Sequence, residues 1–222
     1  MFSFEKVIYL WKNYWELFLI EGVKHTLILS AIAVFFGAII GSLLSLAKMS
    51  KIAPLRWLVT AYVEVVRGTP ILLQLYVFAF ALPNLIKFID ISPYWAIAIA
   101  LVCNSAAYVT EVIRSGIQAV DYGQTEAARS LGMNGKQTLI HIVLPQAIKN
   151  ILPALGNEFI MIIKETSLAS TFFIGDVMTS YLIVKGATYL VLESLFIVAV
   201  IYFVLTFTLS KIMDAVERKM KA

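Results

Sequence analysis

The sequence predicts an all-α polytopic membrane protein with five transmembrane helices, and three observations carry that expectation. Sixty per cent of its 222 residues are apolar and only 14% are charged, against about 25% in soluble domains. The mean hydropathy is +0.86. The apolar residues gather into five runs, and at about 20 residues per span a chain of this length makes one bundle, a single domain over 1–222.

The opening segment, 1–20, reads as an amphipathic interfacial helix. Trp11, Tyr14, Trp15 and Phe18 recur at helical spacing, and aromatic rings favour the headgroup level. Glu5, Lys6, Lys12 and Glu16 interrupt its apolar residues and no small-residue cleavage site follows, unlike a secretory signal. The alternative is the start of an overlong first span.

The spans are expected at Thr26 to Ala47, Trp57 to Pro83, Tyr94 to Ile113, Ile151 to Thr171 and Leu190 to Met213. In the first, Ala33, Gly37, Gly41 and Ser45 stand four apart, a small-residue stripe that lets another helix come close. In the second, Pro70 removes an amide donor, and Thr69 and Pro70 suit the cap and first residue of a new half-helix. Two arrangements stay open there. Either the span breaks and the positive end of the new half-helix, with Arg67 beside it, faces an α-carboxylate, or Glu64 and Arg67 pair along one face of a kinked helix. In the third, Asn104, Ser105 and Tyr108 either line a pathway or satisfy neighbouring helices, while Glu111 and Arg114 are expected to pair near the cytoplasmic end. The fourth carries Asn157, Glu158, Met161, Lys164 and Glu165 at three- and four-residue spacings, one polar stripe on an apolar helix.

Orientation follows from the basic residues. Lys48, Lys51 and Arg56 follow the first span, Arg129, Lys136 and Lys149 follow the third with Arg114 at the edge, and Lys211, Arg218, Lys219 and Lys221 close the chain. Those segments are expected in the cytoplasm, with the N-terminus outside and the C-terminus inside. The other two connections, 84–93 and 172–189, offer Lys87 and Lys185, each accompanied by an acid, Asp90 or Asp176.

Several chemistries lack their residues. A lone Cys103 forms no intrachain disulfide, and His25 and His141 have no clustered partners of the kind a metal site needs. Gly135-Lys136 continues into Gln137 and lacks the upstream glycine of a phosphate-binding loop. No nucleophile stands with a base, so an enzyme is not expected. If ATP drives this protein, another chain binds it.

The stretch 122–145 is too polar to span anything. Thr125 is a plausible N-cap, Glu126 puts negative charge in a first helical turn, Ala127 and Ala128 favour helix, and Gly132 suits a left-handed C-cap. Asn134 can cap a second helix that Pro145 limits. This helix-turn-helix also looks like a DNA reader, but the flanking spans leave no separate domain or basic arm to enter a groove, so no nucleic acid is expected. An ordinary connecting loop is the other alternative.

At these residues the chain resembles the permease subunits of ATP-binding-cassette importers. Their loop carries Glu-Ala-Ala, three residues, Gly, nine residues, then Ile-x-Leu-Pro, matched here by Glu126, Ala127, Ala128, Gly132, Ile142, Leu144 and Pro145. The polar amino acid branch (histidine, glutamine, arginine and opine types) is suggested by Arg67-Gly68-Thr69-Pro70, by Glu111-x-x-Arg114-x-Gly116-Ile117 leading into Gly123-Gln124, and by Lys164-x-Thr166-Ser167-Leu168. The resemblance implies a multi-pass protein of the prokaryotic inner membrane. It also implies a second permease subunit, identical or closely similar, two cytoplasmic ATPase subunits that bind Mg·ATP, and an external solute-binding protein. Thr125, Glu126, Ala127, Ala128, Arg129, Leu131 and Gly132 would then form the ATPase-coupling surface, with no cofactor held by this chain.

Substrate contacts are expected where intramembrane polarity needs a purpose, because a charge at the bilayer centre costs about 2.5–3.5 kcal/mol on insertion scales. The candidates are Arg67, Gly68 and Thr69 at Pro70, and Asn157, Glu158 and Met161 in the fourth span. Glu158 has no basic residue within four positions, so it either accepts the cationic end of a basic amino acid such as arginine, lysine or histidine, or pairs with an arginine of another helix. A rival reading is a self-sufficient secondary transporter or channel with protons on Glu64, Glu111 or Glu158. The absence of an internal repeat argues against it.

Overall fold

The computed structural model describes residues 2–85 and 91–221, and the elements among them are helical. Helix α1, Phe4–Trp15, runs through a π-helical stretch, Glu16–Val23, into α2, Lys24–Lys48. Then follow α3, Ala53–Gly68; α4, Ile71–Leu85; and α5, Pro93–Gln118. The polar loop forms α6, Tyr122–Ser130, and α7, Gly135–Thr138. A second π-helical stretch, Leu139–Val143, leads into α8, Leu144–Glu165, and a 3-10 turn, Thr166–Phe172. The chain ends in α9, Val177–Thr188, and α10, Val191–Lys221.

Four helical stretches are long and apolar enough to cross a membrane, and α3 with α4, bent by 110° at their junction, brings the number to five if the bent pair is one span. The segment 1–20 is not set apart as the sequence reading drew it, because α1 and α2 belong to one helical stretch of 45 residues, Phe4–Lys48. At 1.5 Å per residue such a helix is about 67 Å long, roughly twice the hydrocarbon thickness. Leu10 and Phe18 are fully buried with Val177, Tyr181, Val184 and Ile197, so packing on α9 and α10 holds this stretch in place.

The stripe of small residues does what its spacing implies. Ala33, Gly37, Gly41 and Ser45 are all buried, and α2 meets α5 along the most extensive helix pairing in the molecule. A Cβ at Gly37 would lie 2.6 Å from Ser105 Oγ, and one at Gly41 2.7 Å from Ala106 O. Only glycine admits that approach. Around this seam, Leu29, Leu75, Ile97, Leu101 and Ile162 close the central core.

Two boundaries differ from expectation. Pro145 does not limit a second helix, since Gly135–Phe172 forms one helical stretch of 38 residues. The π-helical stretch precedes it, with Leu144 N donating to Leu139 O. That wider turn shifts the hydrogen-bond register so that the proline, which has no N–H, begins a fresh α-helix at its first turn. The second difference lies in 172–189, drawn as a plain connection, which holds α9. Buried Asp176 accepts from Met178 N at 2.9 Å and Thr179 N at 3.3 Å, capping that helix. Lys87 and Asp90 of the other connection lie outside the described residues.

Candidate functional site

The break between α3 and α4 begins with proline chemistry. Pro70 cannot donate an amide hydrogen bond and steers the preceding residue out of the α region, and Thr69 is extended at φ −115° and ψ 145°. Thr69 does not cap the new half-helix as expected. Its hydroxyl turns back and donates to Val65 O at 2.8 Å, satisfying the end of α3.

Gln74, which the sequence reading passed over, holds the corner. Its side-chain amide donates to Val66 O at 2.7 Å and to Thr69 O at 3.1 Å, while its Oε1 accepts from Asn104 Nδ2 of α5 at 3.0 Å. A glutamine one turn into an apolar half-helix, just after a proline, was the available signal.

Arg67 does not pair with Glu64. Its guanidinium lies 3.9 Å from Glu111 and over the ring of Tyr108, 5.3 Å from the centroid. Glu111 also binds Lys48 at the end of α2, and Arg114 through two hydrogen bonds of 2.7 and 2.9 Å. The expected Glu111–Arg114 pair is therefore present, inside a larger cluster. Gly68 is exposed beside it and Thr69 is half-buried.

In α8 the polar residues do not form one stripe. Asn157, Met161 and Lys164 are exposed, whereas Glu158 is 8% exposed. Adjacent helical positions are turned by about 100°, so Asn157 and Glu158 face different surroundings. Among the described residues no Lys or Arg is in ion-pair contact with Glu158. Ser105 is the hydrogen-bonding side chain beside it, and Arg67 and Glu165 are the charged groups that act on it. Asn104 Oδ1 is buried without a hydrogen-bond partner. The structure thus brings Arg67, Asn104, Ser105 and Glu158 to one region, and leaves Asn157 and Met161 on the exposed side of α8.

The polar loop is built from local rules. Asp121 rather than Thr125 is the N-cap of α6, its carboxylate accepting from Gly123 N at 2.6 Å. The helix therefore starts a turn earlier than expected, and Glu126 is not in its first turn. Gly132 has φ +85°, with Gly132 N donating to Arg129 O at 3.0 Å and Met133 N to Ala128 O at 3.1 Å, the paired bonds of a Schellman ending. Asn134 and Gln137 then exchange bonds of 2.9 and 3.0 Å in a capping box. Ala128 is buried, Thr125 is half-buried, Glu126, Ala127 and Arg129 are exposed, and Leu131 is 85% exposed. A cleft of about 850 Å³ separates α6 from the end of α5, lined by Gln118, Asp121, Thr125, Arg129 and Leu139 among others.

A helical bundle with four or five candidate membrane spans, one of them broken, and a polar hairpin between two of them defines a polytopic membrane protein. The chain belongs to the family of the binding-protein-dependent transport system inner membrane component, whose model matches residues 33–222. It is 44% identical over 205 residues to the arginine transport system permease protein ArtQ of Bacillus subtilis, covering 92% of this chain and 93% of that one. It is equally, 44%, identical over 204 residues to the putative glutamine transport system permease protein GlnP of Rickettsia bellii, with the same coverage of 92% and 93%. A crystal structure of an amino acid ABC transporter with histidines superposes at a TM-score of 0.91 with 42% identity, over 99% of each chain. The protein is accordingly a multi-pass inner-membrane permease subunit of an amino acid ABC importer.

Proposed function

We propose that this permease carries polar amino acids with a preference for basic ones, and that it does so by alternating access driven by Mg·ATP on two separate cytoplasmic ATPase subunits. The chain works beside a second, identical or similar permease subunit and receives substrate from an external solute-binding protein. The N-terminus lies outside and the α6–α7 hairpin inside, with the segment 1–20 extending the first span.

The observation that carries the substrate preference is Glu158. A buried carboxylate costs several kcal/mol unless paired, and this one has no basic residue in contact among the described residues. A further buried polar atom, Asn104 Oδ1, also lacks a partner. A substrate ammonium or guanidinium would give both groups a donor. Arg67 and the N-terminal end of α4 then suit the α-carboxylate, with Gly68 and Thr69 leaving room at the corner and Asn157 and Met161 along the exposed side of the path. The names of the relatives divide between arginine and glutamine at equal identity, so it is the carboxylate that favours the basic reading.

At the other end, the small side chains of Ala127 and Ala128, the exposed Leu131 and the rigid turn at Gly132 suit seating of α6, from Thr125 to Leu131, in a groove of the ATPase. Moving a two-state equilibrium from 1:99 to 99:1 needs about 5.5 kcal/mol of differential binding, which demands a stiff connection.

The test is Glu158→Gln in reconstituted complex. Arginine uptake should fall roughly tenfold or more, the worth of a charge-assisted hydrogen bond, while glutamine uptake changes little. Equal losses for both substrates would remove the basic preference.

A further inference from the structure

One carboxylate, Glu111, holds the ends of three helices. Its Oε1 meets Lys48 at the end of α2, and its Oε2 meets Arg114 one turn on in α5 at 2.7 Å and Arg67 at the end of α3 at 3.9 Å. The three contacts are unequal. Lys48 is 14% exposed and Arg114 closes two bonds to the same oxygen, while Arg67 is 43% exposed and the most distant of the three. Arg67 also rests on the face of Tyr108 and lies within electrostatic reach of Glu158. On its other side the cluster continues from Arg114 Nη1 to Gln118 Oε1 at 2.5 Å. Gln118 lines the cleft under α6 together with Asp121 and Arg129. Polar contacts therefore run from the helix break to Gln118 in the last turn of α5, at the edge of the cleft that the hairpin also lines.

We infer that Glu111 is a positioning residue that parks Arg67 on the inner side of the α3–α4 break and surrenders it to the substrate carboxylate, so that occupancy of the site is reported to the hairpin. The inference rests on the importer reading above. Release of Arg67 leaves Glu111 neutralised by Lys48 and Arg114, so the exchange strands no buried charge. It also leaves Lys48 and Arg114 as the sole claimants on the carboxylate, which draws the ends of α2 and α5 together. Without the carboxylate, three cations face one another and Arg67 has no resting place distinct from its substrate-bound one.

The experiment measures ATP hydrolysis and arginine uptake by the chain assembled with its ATPase subunits in proteoliposomes, with arginine-loaded binding protein present or absent. Glu111→Gln should lower the ratio of stimulated to basal hydrolysis about fivefold or more, the low end of typical coupling between sites. Glu111→Asp, which keeps the charge on a shorter stem, should restore at least half of the ratio. A Glu111→Gln complex with the wild-type ratio would overturn the inference. So would a Glu111→Asp complex that loses as much as Glu111→Gln, because that result marks a purely structural contact. Failure of the importer reading is seen separately, as a wild-type complex that hydrolyses ATP without moving any amino acid.

Discussion

The polar hairpin and the broken span are both departures from a plain apolar helix, and they are built in opposite ways. The bonds that cap and end the hairpin's helices join near neighbours in sequence: Asp121 to Gly123, Ala128 to Met133, Asn134 to Gln137. The break is shaped by groups from elsewhere. Gln74 closes it from one turn ahead, Asn104 braces Gln74 from α5, and Glu111 holds Arg67 from the far end of that same helix. On the proposed function, a surface that keeps its form while another protein bears on it is served by local rules, and a site that changes form in each cycle is served by tertiary contacts, which can be exchanged without unfolding anything.

Substitutions can break that contrast. The largest effect is expected from Gly132→Asp, where a side chain is forced into a left-handed conformation at φ +85°, at a cost of about 1–2 kcal/mol. The rigid turn is then lost. Substrate-stimulated ATP hydrolysis and uptake should both collapse while the bundle stays folded by circular dichroism. Normal coupling in this variant would show that the hairpin is not the transmitting element. Next comes Gln74→Leu, which strands Val66 O, Thr69 O and the Asn104 amide and should cost about 1–3 kcal/mol in thermal unfolding. Uptake should fall with it, whereas ATPase binding should not, since the hairpin is built separately. The smallest effect belongs to Asp121→Ala, a lost N-cap worth about 1 kcal/mol. It should speed amide exchange in α6 and leave substrate affinity untouched; a change in affinity would blur the distinction between the two regions.

The same difference decides what could be read from the chain. Gly132 and Asn134 were legible because a left-handed turn and a capping box are written within a few residues. The packing face of α2 was legible because four small residues recur at helical spacing. Thr125 was misplaced as a cap because Asp121, four residues earlier, competes for the same role and its carboxylate prevails. Pro145 was read as a stop because a π-helical turn that absorbs a proline leaves no pattern of its own. Helix α9 was missed although Val177, Tyr181 and Val184 stand on one face, since its length is short for a span and Asp176 looked like a loop acid. The pairing of Arg67 could not be settled locally. Glu64 is three residues away and Glu111 is a helix away, and only the folded chain shows which carboxylate is within reach. Glu158 lacks a basic neighbour in sequence. That it also lacks one in ion-pair contact across helices, among the described residues, was a tertiary fact.

The central claim is that this chain moves amino acids only when work is delivered to it through the hairpin. Purified chain reconstituted into liposomes with an arginine-loaded binding protein, with and without its ATPase subunits, tests it most directly. Labelled arginine should accumulate only when the ATPase and Mg·ATP are both present. Accumulation by the chain alone under a proton or sodium gradient would contradict the account and make it a self-sufficient transporter.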